Sequence, residues 1–389
     1  MTVDSGVSDR LVLVSDLHLG AGAVPGSRVH GFDDAFDGDE AFPTFLTWLR
    51  SDDRRLSRLV LLGDTLDFLR VPVPGALYAR NDAEAVGQLD LIAAAHPRVF
   101  ETLSAMVNDG IAIDVVVGNH DVELARPAVQ RRLRTLLRAP SDTGDHGAVN
   151  FHLWGYYAPG LLYAEHGNHY HDINCFQRPL VPFRNGRTER PPAARFGSAL
   201  RGRNLSGAPP LHQIVMDIFS ARRLSDAALE EYRDSMLSGY AAEIGLPKSV
   251  VRHLDELGRT TALSIAARIA RTRLAGGPSF KDLAPAVAAS VHRVLSTAGC
   301  AVPFCVFGHT HVACHLQLPG GVGQYLNTGT WSTDYRRAPN RRQPVSDPRR
   351  RTWVELSRHG RGNLQARLLH WVGGPDPASH VSEWAVGRV

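Results

Sequence analysis

Five short blocks in this 389-residue sequence place metal-ligand side chains directly behind apolar runs. Asp16 and His18 follow LVLV in SDLHLG, Asp64 and Asp67 follow LVLL in GDTLD, and Asn119, His120 and Asp121 follow DVVV in GNHD. His166 follows LLYAE, and His309 and His311 follow FCVF in GHTH. Side chains at i and i+2 of an extended segment share a side, so Asp16/His18 and His309/His311 are each expected to aim at one point. The glycines beside them let the backbone turn sharply and approach a ligand closely. One such block reads as a capped turn with a stray histidine. Five, each at a strand exit, read as one shared site.

Carboxylate, imidazole and amide oxygen with no thiolate suit Mn²⁺, Fe or Zn²⁺ better than copper(I) or a purely Mg²⁺ site. The set is large enough for two cations. Held about 3.5–4 Å apart, they need a shared anionic ligand, and Asp64, in the middle of the set, is the natural bridge. Asp67 fits either a role behind the ligands or the cap of a following helix. Asn168, His169 and His171 come just after His166 in HGNHYHDIN and are candidates for substrate contact; a polar loop explains them as well. Asn327 in YLNTGTW reads as a turn residue near the site, and Trp331 as core.

The elements that must position these residues alternate strand with helix at first. Strand-like runs at 11–14, 59–62 and 111–117 are separated by helical patterns at 40–50 and 97–108, which predicts an α/β sheet with functional loops at its carboxyl ends. Residues 150–154 and 161–167 read as a hairpin around Ala158-Pro159-Gly160. A loop rich in Pro, Gly and Arg spans 179–210, followed by helical patterns at 212–222, 226–237, 260–274 and 281–297. Strands resume at 303–311, 315–318, 324–330, 352–356 and 364–371. The expected division is a core of 1–180 and 300–372, an insertion of 181–299 serving as a lid, and a tail of 373–389.

The five blocks in this order, D-x-H, G-D-x-x-D, G-N-H-D, H-G and G-H-x-H, resemble the calcineurin-like metallophosphoesterase superfamily over residues 9–170 and 300–372. The resemblance implies a four-layer α/β/β/α sandwich. It implies a first metal held by Asp16, His18, Asp64 and His311, and a second by Asp64, Asn119, His166 and His309. It gives His120 a place facing the scissile phosphate, with Asp121 orienting it. The implied reaction is hydrolysis of a phosphomonoester, phosphodiester or pyrophosphate by hydroxide activated between two divalent ions, Mn²⁺ first, with Fe or Zn²⁺ as alternatives. SDLHLG, GNHD, GHTH and NTGTW look most like the branch containing UDP-2,3-diacylglucosamine pyrophosphatases, which carry a helical lid. GDTLDF and GNHD depart from the G-D-x-V-D-R-G and G-N-H-E of the protein phosphatases.

The bulk properties leave room for this. Forty-three percent hydrophobic and 21% charged residues predict a globular protein, and no apolar run reaches the ~18 residues of a membrane span. The start lacks the pattern of a secretory signal, and four sparse cysteines suit reduced thiols, so a cytoplasmic location is expected. A net charge of +4 comes almost wholly from arginine, clustered at 184–203 and 336–351. A solvated arginine-rich surface explains these clusters better than nucleic-acid binding. The expected substrate is a small or nucleotide-linked phosphoester. The competing readings are a non-catalytic scaffold of the same fold and a nuclease.

Overall fold

A computed structural model describes residues 10–22, 36–51, 56–71, 73–74, 76, 78–139, 148–171, 174–176, 183–184, 187–188, 191, 227–271, 280–332, 351–359, 363–373, 381–383 and 387–388. The expected helix at 212–222 and most of both arginine clusters lie outside these residues.

In chain order the first strands are β1 (Arg10–Val14), β2 (Leu56–Leu62), β3 (Ala112–Val116), β4 (Val149–His152), β5 (Gly155–Ala158) and β6 (Leu162–Glu165). They are followed by β7 (Phe183–Arg184), β8 (Arg187–Thr188), β9 (Phe304–Phe307), β10 (Cys314–Gln317) and β11 (Gln324–Asn327). The last are β12 (Thr352–His359), β13 (Asn363–Trp371), β14 (Val381–Glu383) and β15 (Gly387–Arg388). The helices are α1 (Ala41–Ser51), α2 (Asp82–Ala95), α3 (Pro97–Asn108), α4 (Pro127–Leu136), α5 (Ala227–Ile244), α6 (Lys248–Arg271) and α7 (Phe280–Thr297).

Two mixed sheets make an α/β fold. A seven-stranded sheet runs β14-β13-β12-β1-β2-β3-β4, with β1 to β4 parallel and β12 antiparallel to β1. A six-stranded sheet runs β15-β10-β11-β9-β6-β5, with β6, β9 and β11 parallel. The expected hairpin is displaced. NFHLW joins the large sheet as β4, parallel to β3, while β5 is the strand that pairs antiparallel with β6 around Pro159 and Gly160. The segment read as a tail supplies a strand to each sheet, β14 beside β13 and β15 beside β10.

Alternation along each strand decides where the core sits. Val12, Val14, Leu59, Leu61, Ile113 and Val115 pack with the buried faces of α1 to α4. Their neighbours Leu11, Leu13, Val60, Leu62 and Val116 pack instead with Leu162, Ala164, Phe304, Val306 and Leu326 of the small sheet. On that sheet Tyr163, Cys305, Phe307 and Tyr325 point the other way, into a cluster with Leu237, Val250, Leu254, Val287, Val291 and Leu295 of α5 to α7. Both faces of β1 are thus apolar, as parallel central strands require. Among the described residues no helix is long and apolar enough to cross a membrane.

Register brings the carboxyl ends together. Val14 is level with Leu61, Leu62 with Val116, and Glu165 with Phe307. Each motif block leaves its strand just beyond one of these positions.

Candidate metal centre

The backbone of three of the five blocks is unusual. Asp16, His18, Asp64, His309 and His311 have φ of 53°, 56°, 49°, 66° and 58°. Among the described residues only Arg138 and Arg351 are further non-glycine examples of this left-handed conformation. Asp16 and His18 therefore do not share a side through an extended strand, as the i, i+2 spacing predicts; β1 has ended, and two left-handed residues turn both side chains inward. Close approach requires glycine nearby. A Cβ on Gly63 would stand 2.5 Å from the His166 ring, and one on Gly118 would collide with Asp64.

The side chains meet in three groups. In the first, the ligand atoms of Asp16, His18 and His311 lie within 4.8 Å of one another; in the second, those of Asp64, His166 and His309 do; the third shares His18 with the first and adds Asp67 and His120. His18 Nε2 and His311 Nε2 are 3.3 Å apart, and His311 Nε2 is 3.0 Å from Asp16 Oδ1. Asp64 stands between the first two, its Oδ2 3.2 Å from His166 Nε2 and 3.8 Å from His18 Nε2.

The atoms facing away are tied down. Asp16 Oδ2 accepts from the His309 backbone N–H at 3.0 Å and from Ser15 Oγ–H, and Ser15 Oγ is 2.5 Å from Thr328 Oγ1. Thr330 Oγ1 donates to the Asp16 carbonyl at 2.8 Å. Asn327 Nδ2 donates to the Gly308 carbonyl at 2.8 Å, which gives the NTGT segment a place directly behind the ligands. His166 Nδ1 donates to the Leu62 carbonyl at 3.0 Å. Three buried atoms of the set, Asp16 Oδ1, Asn119 Oδ1 and His166 Nε2, make no hydrogen bond. Two of them have another ligand-type atom as the close neighbour just described. Buried acceptors are rarely left unpaired, so this donor set fits divalent cations, which the lone pairs of carboxylate, amide and imidazole would bind.

The electrostatics ask for positive charge. Burial opposes a proton on His18, but Asp16, Asp67 and Asp64 outweigh it and lift His18 to about 10. Burial and then Asp64 and Asp16 act likewise on His166, which rises to about 9. Burial would raise the Asp16 carboxyl, yet His311 and His166 hold it well below the usual range. Asp64 is held down in the same way by His166 and His120.

Asp67, not Asp121, holds His120. Asp67 Oδ1 is 3.0 Å from His120 Nδ1, and its Oδ2 is 3.3 Å from His18 Nδ1 and 2.7 Å from Arg70 Nε. It caps the short helical turn Phe68–Arg70 by position but makes no side-chain cap. Asp121 instead accepts the N–H groups of Gly118 at 2.6 Å and Thr65 at 2.9 Å, binding the GDTLD and GNHD loops together. Burial and the Asp64 charge push it up to about 7. His120 itself is a quarter exposed, its backbone N–H donating to Asp64 Oδ1 at 2.8 Å.

The HGNHYHDIN residues separate. Asn168 is buried and donates from Nδ2 to the Asn174 carbonyl at 3.2 Å. His169 is buried between Trp154, 4.5 Å away, and Phe176, with Gly258 of α6 against its backbone; burial and the His166 charge push it down to about 3. His171 reaches a ligand-type side chain: its Nδ1 is 2.9 Å from His309 Nε2. Asn174, read with them from the sequence as a pocket candidate, lies beside it, with Nδ2 2.8 Å from His171 Nδ1.

No family model matches the chain, and no curated protein matches it. Among solved structures, that of phosphopantetheinyl hydrolase from Mycobacterium tuberculosis aligns over 84% of this chain and 91% of that one, at 13% identity and a TM-score of 0.27. So loose a superposition carries no weight for activity.

Proposed function

We propose that the protein is a dinuclear metal-dependent phosphoesterase with the four-layer α/β/β/α arrangement of the metallophosphoesterases. The observation that carries this reading is the meeting of Asp16, His18, Asp64, His166, His309 and His311 on left-handed or glycine-turned loops, with their ligand-type atoms facing one another and the buried Asn119 Oδ1 left without a hydrogen bond. The three apolar clusters, helices on sheet, sheet on sheet and sheet on helices, support the layer order.

Asp16, His18, Asp64 and His311 would hold the first ion, and Asp64, Asn119, His166 and His309 the second. Bound there, divalent ions supply a hydroxide nucleophile at neutral pH and offset phosphoryl charge. Asp64 suits the bridge because its carboxylate already faces both groups. Asp67 orients His120, whose partly exposed ring can hydrogen-bond a phosphoryl oxygen and donate a proton to the leaving group. Ser15, backed by Thr328, and the His309 backbone N–H keep the Asp16 carboxylate from rotating away, while Thr330 holds the Asp16 backbone carbonyl. The substrate class is a small or nucleotide-linked phosphomonoester, phosphodiester or pyrophosphate, and Mn²⁺ is the first metal to try.

The test is a panel of aryl phosphomonoesters, phosphodiesters and a pyrophosphate. Turnover is expected with Mn²⁺, none after chelation, and recovery on adding Mn²⁺ back. Activity indifferent to chelator and metal would sink the reading.

A further inference from the structure

The loop after β6 carries three histidines, and the proposed reaction uses only His166. His171 Nδ1 lies 2.9 Å from His309 Nε2. Asn174 Nδ2 lies 2.8 Å from the same His171 nitrogen and 3.4 Å from His309 Nε2. The loop itself is braced: the Asn174 backbone N–H donates to the His171 carbonyl at 3.1 Å, and the Asn174 carbonyl accepts from Asn168 Nδ2 at 3.2 Å.

An amide nitrogen only donates. Asn174 Nδ2–H donates at 2.8 Å to His171 Nδ1, its 3.4 Å separation from His309 Nε2 being at the limit of a hydrogen bond; His171 Nδ1 is then an acceptor, and the proton in the 2.9 Å contact belongs to His309 Nε2. A neutral imidazole has one N–H, which leaves the lone pair on His309 Nδ1. We infer that His171, held by Asn174, is a positioning residue for the second metal position: it fixes His309 as the Nε2–H tautomer and makes Nδ1 the ligand atom. The inference rests on the two-metal reading. Two of the other ligand histidines use different partners for the same end. Asp67 sits on Nδ1 of His18, and the Leu62 carbonyl on Nδ1 of His166, leaving Nε2 in each. His309 has the opposite orientation, and the HGNHYHDIN loop supplies the acceptor it needs. Partners of this kind are typically worth 10–100-fold in metal affinity.

The experiment titrates Mn²⁺ into chelator-stripped full-length protein, with bound metal counted by elemental analysis. Low-temperature EPR separates isolated ions from exchange-coupled pairs, and circular dichroism checks the fold. Wild type is expected to bind two coupled ions. His171→Leu should keep the first and bind the second roughly 10–100-fold more weakly. His171→Asn, whose Oδ1 stands in for Nδ1, should recover most of that loss. Asn174→Asp, nearly identical in shape, replaces the donor with an acceptor, moves the proton onto His171 Nδ1 and should also weaken the second ion. If His171→Leu does not fold, Asn174→Asp decides alone. Two tightly bound ions in His171→Leu or in Asn174→Asp would overturn the inference, as would equal losses in His171→Leu and His171→Asn. A wild type that binds no coupled pair would instead overturn the two-metal reading, and this inference with it.

Discussion

Left-handed backbone at Asp16, His18, Asp64, His309 and His311 costs on the order of 1–3 kcal/mol per residue, and folded proteins tolerate such strain mainly where function holds it. At this scale the roles of His120 and Asp64 separate. His120→Ala should retain bound metal while turnover falls about 10²–10⁴-fold. Asp64→Ala should lose metal, because its carboxylate faces ligand-type atoms of both His18 and His166. Elemental analysis beside the assay decides, and a His120→Ala protein as metal-depleted as Asp64→Ala would show that the roles are wrong. His169 gives a pH prediction. Held near 3 against an ordinary 6.5, it stays neutral in the folded protein while the unfolded chain takes up its proton below pH 6.5. Stability therefore falls as pH falls through that window, by about 1.4 kcal/mol per pH unit once well inside it. His169→Phe keeps a ring beside Trp154 and should flatten the urea midpoint between pH 6.5 and 5; an unchanged slope would contradict the buried neutral state. Residue types and their order were legible in the sequence. Backbone hand was not, because nothing marks an Asp or His for positive φ, and Asp67 could not be told from a helix cap without the His120 ring beside it.

Elements place these residues, and their errors of reading have physical causes. The helix at 97–108 is plain from its apolar face, but α2 spreads its apolar residues around the axis, burying Gln88 along with Leu89 and Ile92. Its usable signal is the cap: Asn81 Oδ1 accepts the Glu84 N–H at 2.9 Å. The signal for α4 is Pro127 at its first position. NFHLW and GYYA are adjacent short strands, and local pattern cannot say that they join different sheets. The NTGT segment after β11 carries an element-scale prediction. Thr328 Oγ1 holds Ser15, which holds Asp16, and the Thr328 carbonyl accepts from Thr352 Oγ1 at 2.6 Å. Thr328→Val keeps the shape and removes the hydroxyl, so the affinity for the first ion should fall roughly tenfold, toward the lower end for such supporting contacts. Mn²⁺ binding isotherms would read it, and unchanged affinity would mean that Ser15 and Thr330 suffice.

Across the whole molecule the question is what the 181–299 segment does. Its described helices α5 to α7 cover the outer face of the small sheet, and α6 meets the turn Asn168–Tyr170 next to His166. A lid that only shaped the pocket could be removed without exposing core. Here removal would uncover Tyr163, Cys305, Phe307 and Tyr325, all almost wholly buried. Leu295→Ala tests this gently, since Leu295 is fully buried in that cluster and should cost about 2–5 kcal/mol by denaturant unfolding. Metal content per folded chain should be unchanged, because Leu295 lies in the apolar cluster and is not among the ligand-type side chains. Replacing 227–297 with a Gly/Ser linker should give insoluble or unfolded protein. A soluble, metal-loaded deletion that still cleaves a small aryl phosphoester at near-normal rate would show that these helices are dispensable to the core, and would return them to the part of a lid.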